Sequence, residues 1–216
     1  MNIEQYNGYW IATDQYLPQN NRDDNAILIA NYLTGLGWTR EAVAGILGNM
    51  DVESTMNPAL IENRGYHTLI DNNTCLGVSS NLGVGLVQWT GDTTTPPVGQ
   101  KLASFAIRYN MNWYDGACQC FRLQRECDTD IQFDHGTVDG EQWDWQIFIA
   151  SNEQPEQLAK VWWMLYERGG SDLVTRQQKA RYYYDIIPGS HKLINMLNFY
   201  RQQNTRKGVK RRWQTI

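Results

Sequence analysis

No stretch of this 216-residue chain approaches the roughly 18 to 20 unbroken apolar residues that a membrane-spanning helix requires, so no span is expected. The opening MNIEQYNGYW lacks both a basic n-region and an apolar h-region, which argues against a cleaved secretory signal. If the protein works outside a cell, another route takes it there. Cysteine is scarce: Cys75, Cys118, Cys120 and Cys127 form no CxxC pair and match no common zinc spacing. Helical spacing puts Cys120 and Cys127 on one face, with Cys118 off it. Buried thiols, two disulfides and a four-thiolate site all stay open, although no resident metal or cofactor is expected. The three histidines, His67, His135 and His191, are scattered and gather around no nucleophile. Internal repeats and low-complexity segments are also lacking. What is present is a 42% hydrophobic chain, long enough for one substantial domain with a core, or for one domain plus a small appendage.

Charge divides that chain unevenly. Residues 1–189 carry 12 basic and 23 acidic side chains, a net of −11, whereas residues 190–216 carry +7. The basic segment HKLINMLNFYRQQNTRKGVKRRWQTI could meet an anionic partner or dock on its own acidic domain. An acidic main body argues against nucleic acid as the main substrate.

The periodicities predict an α+β, mostly helical chain with a small β-hairpin region inserted between helices. Residues 1–22 read as an N-terminal arm, 23–189 as the main domain and 190–216 as a basic C-terminal extension. Asp23 or Asp24 would cap a first helix through NAILIANYLTGL, closed by Gly35 and Gly37. Thr39 then caps REAVAGILGNMDVES, with Pro58 just beyond its end. Gly, Asn and short apolar alternations over 59–92 suggest a β-hairpin or irregular sheet. Helices follow at about 98–110, 115–127, 155–168 and 172–186, with a loop or small hairpin over the acidic stretch 128–146.

On the second of these helices Val43, Ile46, Met50 and Glu53 recur at helical spacing, so Glu53 prolongs an apolar stripe. Asp51 points to roughly the opposite side and is expected to be solvated. Apolar surroundings penalise an ionised carboxylate and let it hold a proton near neutral pH, the property of a general acid. Helix ends also commonly expose a glutamate, and the helix alone leaves both readings open. Thirty residues later, GVGLVQWTG alternates Val84, Leu86 and Gln88 with Gly83, Gly85, Val87 and Trp89. Gly83 and Gly85 allow close approach of a backbone or ligand, and Gln88 can both donate and accept hydrogen bonds.

Glu53-Ser54 at a helix end, Asn57-Pro58, and Ser80-x-x-Gly83-x-Gly85-Leu86-x-Gln88 together resemble the signatures of goose-type lysozymes and lytic transglycosylases. The ordered set Ala30-Asn31-Tyr32-Leu33, Gly37, Ala44-Gly45-Ile46-Leu47-Gly48-Asn49, Glu53-Ser54, Asn57-Pro58 and Gly85-Leu86-Val87-Gln88-Trp89-Thr90-Gly91 resembles the phage tail lysozyme family more closely. Gln119 or Gln124 before Glu126, Trp162 through Glu167, Arg176, Ala180-Arg181 and Tyr182-Tyr183 continue the likeness, which covers about residues 24–187. The resemblance implies a lysozyme-like fold and cleavage of the β-1,4 bond between N-acetylmuramic acid and N-acetylglucosamine in peptidoglycan. It makes Glu53 the general acid, with Gly85, Gln88 and Trp89 at the substrate.

Glycosidic cleavage commonly employs a second carboxylate. Glu62, Asp71 and Asp92 are its candidates in the intervening region or just after it, and His67 could line the same cleft. Without such a carboxylate, the substrate's acetamido group or a water held by Gln88 would serve. A transglycosylase would need no water. Trp162 and Trp163 read as packing, and Glu167 with Arg176 and Arg181 as an ion pair joining the last two helices.

The leading expectation is therefore a muramidase on the tail tip of a phage virion, made in the host cytoplasm and opening the host wall during genome entry. Its partners would be peptidoglycan and phage tail proteins. A lytic transglycosylase, a non-catalytic tail-tip or wall-binding module, and an endolysin are the alternatives. No Cys/His protease pattern follows the main domain.

Overall fold

The computed structural model describes residues 4–6, 10–62, 69–78, 82–90 and 102–189. Asp92, His67 and the basic extension 190–216 lie outside them.

Helix α1 spans Gln19–Gly35 and α2 Arg40–Ser54. Helix α1 begins four residues earlier than Asp23, with Pro18 as its N-cap residue. Asp23 instead lies inside the helix and accepts a bond from Gln19 Nε2 at 2.8 Å. Thr39 caps α2 as its sequence predicts, its hydroxyl accepting from the Ala42 N–H at 3.2 Å. Past Ser54 the chain turns sharply through Thr55 and Met56, two non-glycine residues with φ of 52° and 58°. Every residue of α2 from Ala42 to Asp51 is buried, so this helix is the axis of the domain. Two glycines make that possible. A Cβ on Gly45 would lie 2.8 Å from Leu158 Cβ, and one on Gly48 only 2.3 Å from the Arg176 carbonyl oxygen. The AGILGN segment thus brings two later helices, α7 (Pro155–Leu165) and α8 (Leu173–Ile186), close against α2.

Between α2 and α7 run α3 (Asn72–Val78), α4 (Leu102–Arg108), α5 (Gly116–Asp128) and α6 (Trp145–Ala150). Asp115 caps α5 by accepting from Ala117 N–H at 2.9 Å. The acidic stretch between α5 and α6 does form a small antiparallel hairpin, Gly136–Val138 with Glu141–Trp143. The hairpin expected over 59–92 is a different matter. Among the described residues that region has a single antiparallel bridge, Ile61 with Val84, followed in space by loops and by α3. Asp71 explains the helix: it accepts from the Thr74 N–H at 2.7 Å and from the Cys75 N–H through its carbonyl at 2.9 Å. The result is a mostly helical α+β, lysozyme-like fold.

Residues 10–17, read as part of an arm, pack onto the domain. Trp10, Ile11, Ala12 and Leu17 are buried, and Trp10–Ala12 pairs antiparallel with Glu4–Tyr6. Two fully buried amides hold them. Asn25 exchanges bonds with the Ile11 backbone at 2.9 and 2.7 Å, and Asn57 donates to the Thr13 and Gln15 carbonyls at 2.7 and 2.6 Å. Asn57 of the Asn57-Pro58 pair is thereby a fastening for the N-terminal segment.

The core continues through an aromatic cluster of Phe133, Trp145, Phe148, Trp162 and Tyr166, with Trp162 and Tyr166 stacked at 3.9 Å. All four cysteines are buried and none forms a disulfide. No helix among the described residues is long and apolar enough to cross a membrane.

Candidate active site

Glu53 sits one residue before the end of α2, where the apolar stripe of Val43, Ile46 and Met50 reaches the surface of the packed helices. Its side chain is 22% exposed. Arg176 of α8 reaches it: one guanidinium nitrogen is 2.5 Å from Glu53 Oε1, and the other donates to Asn49 Oδ1 at 3.0 Å. Asn49 lies one helical turn before Glu53 and is itself anchored to the carbonyls of Gly45 and Ala159. The acid is therefore held by a cation on another helix and a buried amide on its own.

A second carboxyl lies within electrostatic reach of this pair. Glu167, just past α7, accepts from Trp162 Nε1 at 3.1 Å. Burial foremost, and then the charge of Glu53, push its pKa up to about 8, against the opposing pull of Trp162 and Arg176. Near neutral pH Glu167 is largely protonated. The expected ion pair of Glu167 with Arg176 and Arg181 is thus replaced by a different arrangement. Arg176 spends its charge on Glu53, and α7 is tied to α8 by Arg181 with Glu156 at 2.6 Å. Asp51 also departs from expectation. It is 3% exposed and is satisfied by Arg22 at 2.8 Å, Lys179 at 3.2 Å and the Tyr183 hydroxyl.

The GVGLVQWTG segment lies beside the end of α2. Ser54, the neighbour of Glu53, donates to the Leu86 carbonyl at 2.9 Å. The segment is a compact turn rather than an extended run. Val84 and Trp89 exchange backbone bonds at 3.2 and 3.0 Å, and Gly85 (φ 79°) and Gln88 (φ 51°) bend the chain between them. Consequently Val84, Leu86, Val87 and Trp89 are all buried, not alternately. Gln119 of α5 explains Gly85, since a Cβ there would sit 2.6 Å from Gln119 Oε1. That fully buried amide accepts from Leu86 N–H and donates to the Pro58 and Trp113 carbonyls, each at 2.7 Å. Gly83 is approached instead by the side chain of Gln88, whose Nε2 donates to Gly85 O at 2.7 Å.

The remaining expected site residues fall in different places. Glu62 is exposed on the bridge next to the turn, its carboxylate accepting from Gly83 N–H at 3.0 Å. Asp71 caps α3, and bonds from the Thr74 backbone hold its pKa below the usual carboxylate range. Trp89 is 7% exposed, bonded through Nε1 to Glu126 at 2.9 Å and covered by the Arg122 guanidinium 4.8 Å from its ring centre. Its geometry is that of a packed side chain, with no open face for a sugar ring. Among the described residues no group of three or more His, Cys, Asp or Glu is arranged to hold a metal.

Residues 24–187 match the family described as phage tail lysozyme. The chain belongs to that family. The matched region holds Glu53, Arg176, Glu167 and the turn carrying Gln88. It is similar to Morphogenesis protein 1 of Bacillus phage B103, 31% identical over 179 residues, which cover 82% of this chain and 43% of that relative. The chain thus spans less than half the length of this curated relative. The sequence named Glu53 and Gln88 as candidates, whereas the electrostatic coupling of Glu167 to Glu53 was not visible in it. Asn49, four residues before Glu53 on the same face, was the one local signal of a polar cluster.

Proposed function

We propose that this member of the phage tail lysozyme family is a muramidase that hydrolyses the β-1,4 bond from N-acetylmuramic acid to N-acetylglucosamine, acting from the virion tail tip on the host wall during genome entry. The observation that carries this reading is the Glu53–Glu167 pair with Arg176, at the end of α2 beside the turn that bears Gln88. Glu167 holds a proton near neutral pH, because burial first and the charge of Glu53 second push its pKa up to about 8. Glu53, the member held at the rim, hands a proton to the leaving glycosidic oxygen. Gln88 orients the glycan, and Glu62, beside the same turn, stabilises the charge growing at the anomeric carbon or activates water. The name of the Bacillus phage relative, a morphogenesis protein, supports a place in the virion.

A structural role for the cluster is the second reading, favoured by the short Arg176–Glu53 ion pair that fastens α8 to α2. Mass spectrometry of muropeptides from purified peptidoglycan separates the two. Reducing muramic ends, lost in Glu53→Gln with an unchanged circular dichroism spectrum, are expected. Anhydro ends would make the chain a transglycosylase, and an active Glu53→Gln or an inert native chain would overturn the assignment.

A further inference from the structure

Phe105, Arg108, Tyr109, Arg122, Arg125 and Glu126 line a pocket of about 110 Å³ between α4 and α5 that includes none of the Glu53 cluster. Residues 1–189 are strongly acidic, with 12 cationic side chains against 23 acids, yet three of those cations converge here beside one lining acid. Most other cations among the described residues face carboxylates: Arg22 and Lys179 share Asp51, and Lys160 pairs with Asp139, Arg168 with Asp134, Arg176 with Glu53 and Arg181 with Glu156.

The pocket acid does not balance its cations. Glu126 takes Arg122 Nε and Trp89 Nε1 on one oxygen, each at 2.9 Å, and the Tyr166 hydroxyl on the other at 2.7 Å. Its charge offsets one guanidinium. Arg125, 44% exposed, lies 3.2 Å from Asp128 at the pocket edge, and Arg108 is exposed. Arg122 is 8% exposed and its Nη1 is buried with no hydrogen-bond partner among the described residues. A buried guanidinium nitrogen without an acceptor calls for one, and an anion entering the pocket supplies it.

We propose that this pocket is a second binding site, taking a carboxylate of the peptidoglycan stem peptide. The proposal rests on peptidoglycan being the substrate. Guanidinium forks match a carboxylate two bonds at a time, and the Phe105 and Tyr109 rings offer an apolar wall to an alanine methyl next to it. Glu126 and Asp128 together offset two of the three guanidinium groups, which leaves a site suited to a single negative charge rather than to a phosphate chain. Arg122 also covers Trp89, in the same turn as Gln88, so the peptide pocket and the glycan-facing turn form one body.

Calorimetric titration of the full chain with synthetic L-Ala-γ-D-Glu-L-Lys-D-Ala, with its fully amidated analogue and with sodium phosphate tests the site. The free-acid peptide is expected to bind. The amidated peptide, and the free-acid peptide on the Arg108→Ala/Arg125→Ala chain, should bind at least about tenfold more weakly, with an unchanged melting temperature. Equal binding by the variant, no binding by the native chain, or displacement of the peptide by an equal concentration of phosphate overturns the proposal. Because the titration needs no turnover and is repeated on Glu53→Gln, its failure with normal muropeptide release removes the pocket alone. Peptide binding without muropeptide release upholds the pocket while removing the muramidase.

Discussion

Glu167 is the residue whose state is most sensitive to the rest of the molecule. In an unfolded chain its carboxyl ionises near the ordinary glutamate value of 4.5, and in the folded domain burial and Glu53 raise this to about 8. Between those values the native protein binds a proton that the unfolded chain has released. The contribution to stability is therefore fully present below about 4.5 and is lost as pH rises through about 8. Glu167→Gln, which keeps the Trp162 bond partner and has no charge to bury, should flatten that decline. Melting temperatures of native and variant chains across this range are expected to converge at acid pH and diverge at neutral pH. The difference should grow by up to roughly 1 kcal/mol per pH unit. Parallel curves would show that Glu167 carries no such proton. Glu53, by contrast, was marked in the sequence itself: its spacing continues an apolar stripe, and the likeness of Glu53-Ser54, Asn57-Pro58 and the Gly85–Gln88 segment to a known family gave it the expected role of the acid.

At the scale of elements, the turn from Gly83 to Trp89 is held to α2 by Ser54 and to α5 by Gln119. Gln119→Ala leaves the buried Leu86 N–H and two backbone carbonyls without their partner. The expected loss is about 1–3 kcal/mol of stability, measured by urea denaturation, together with weaker glycan turnover as Gln88 loses its seat. Unaltered stability would mean that water replaces the amide. Helices α2, α5, α7 and α8 were legible because caps and apolar spacing lie within each segment: Thr39, Asp115 and Pro155 mark their starts. Helix α3 and the six-residue α6 were not, because each is too short to show periodicity and depends on a side chain, Asp71 or Asp144, that serves equally well in a loop. The stretch over 59–92 read as sheet because apolar residues alternate there, yet Gly85 and Gln88 at positive φ curl it so that both sets are buried.

For the whole molecule, the thiols report on closure of the core. Burial pushes Cys118 up to about 12 and Cys127 to about 11, and Cys120 higher still. Little thiolate exists at neutral pH and the core blocks access. Ellman's reagent should label none of the four cysteines in the native chain at pH 7.5 and all four in guanidinium chloride. Labelling of the folded chain would show that the region around α5 opens. The N-terminal segment belongs to the same closed body, because Trp10 lies directly over Gly116, where a Cβ would meet its ring at 2.2 Å.

The sequence by itself determined which segments become the main helices, which residue sits at the end of the apolar stripe, and the order of motifs that marks a phage tail lysozyme. Those properties depend on neighbours three or four residues apart. Only the tertiary structure decided that Arg176 holds Glu53 across 123 positions, that Glu167 is protonated beside it, that Asp51 is buried and paired, and that Trp89 faces Glu126. A charge is placed by whatever low-dielectric surroundings and opposite charges the packed helices bring to it, and no local spacing encodes that encounter.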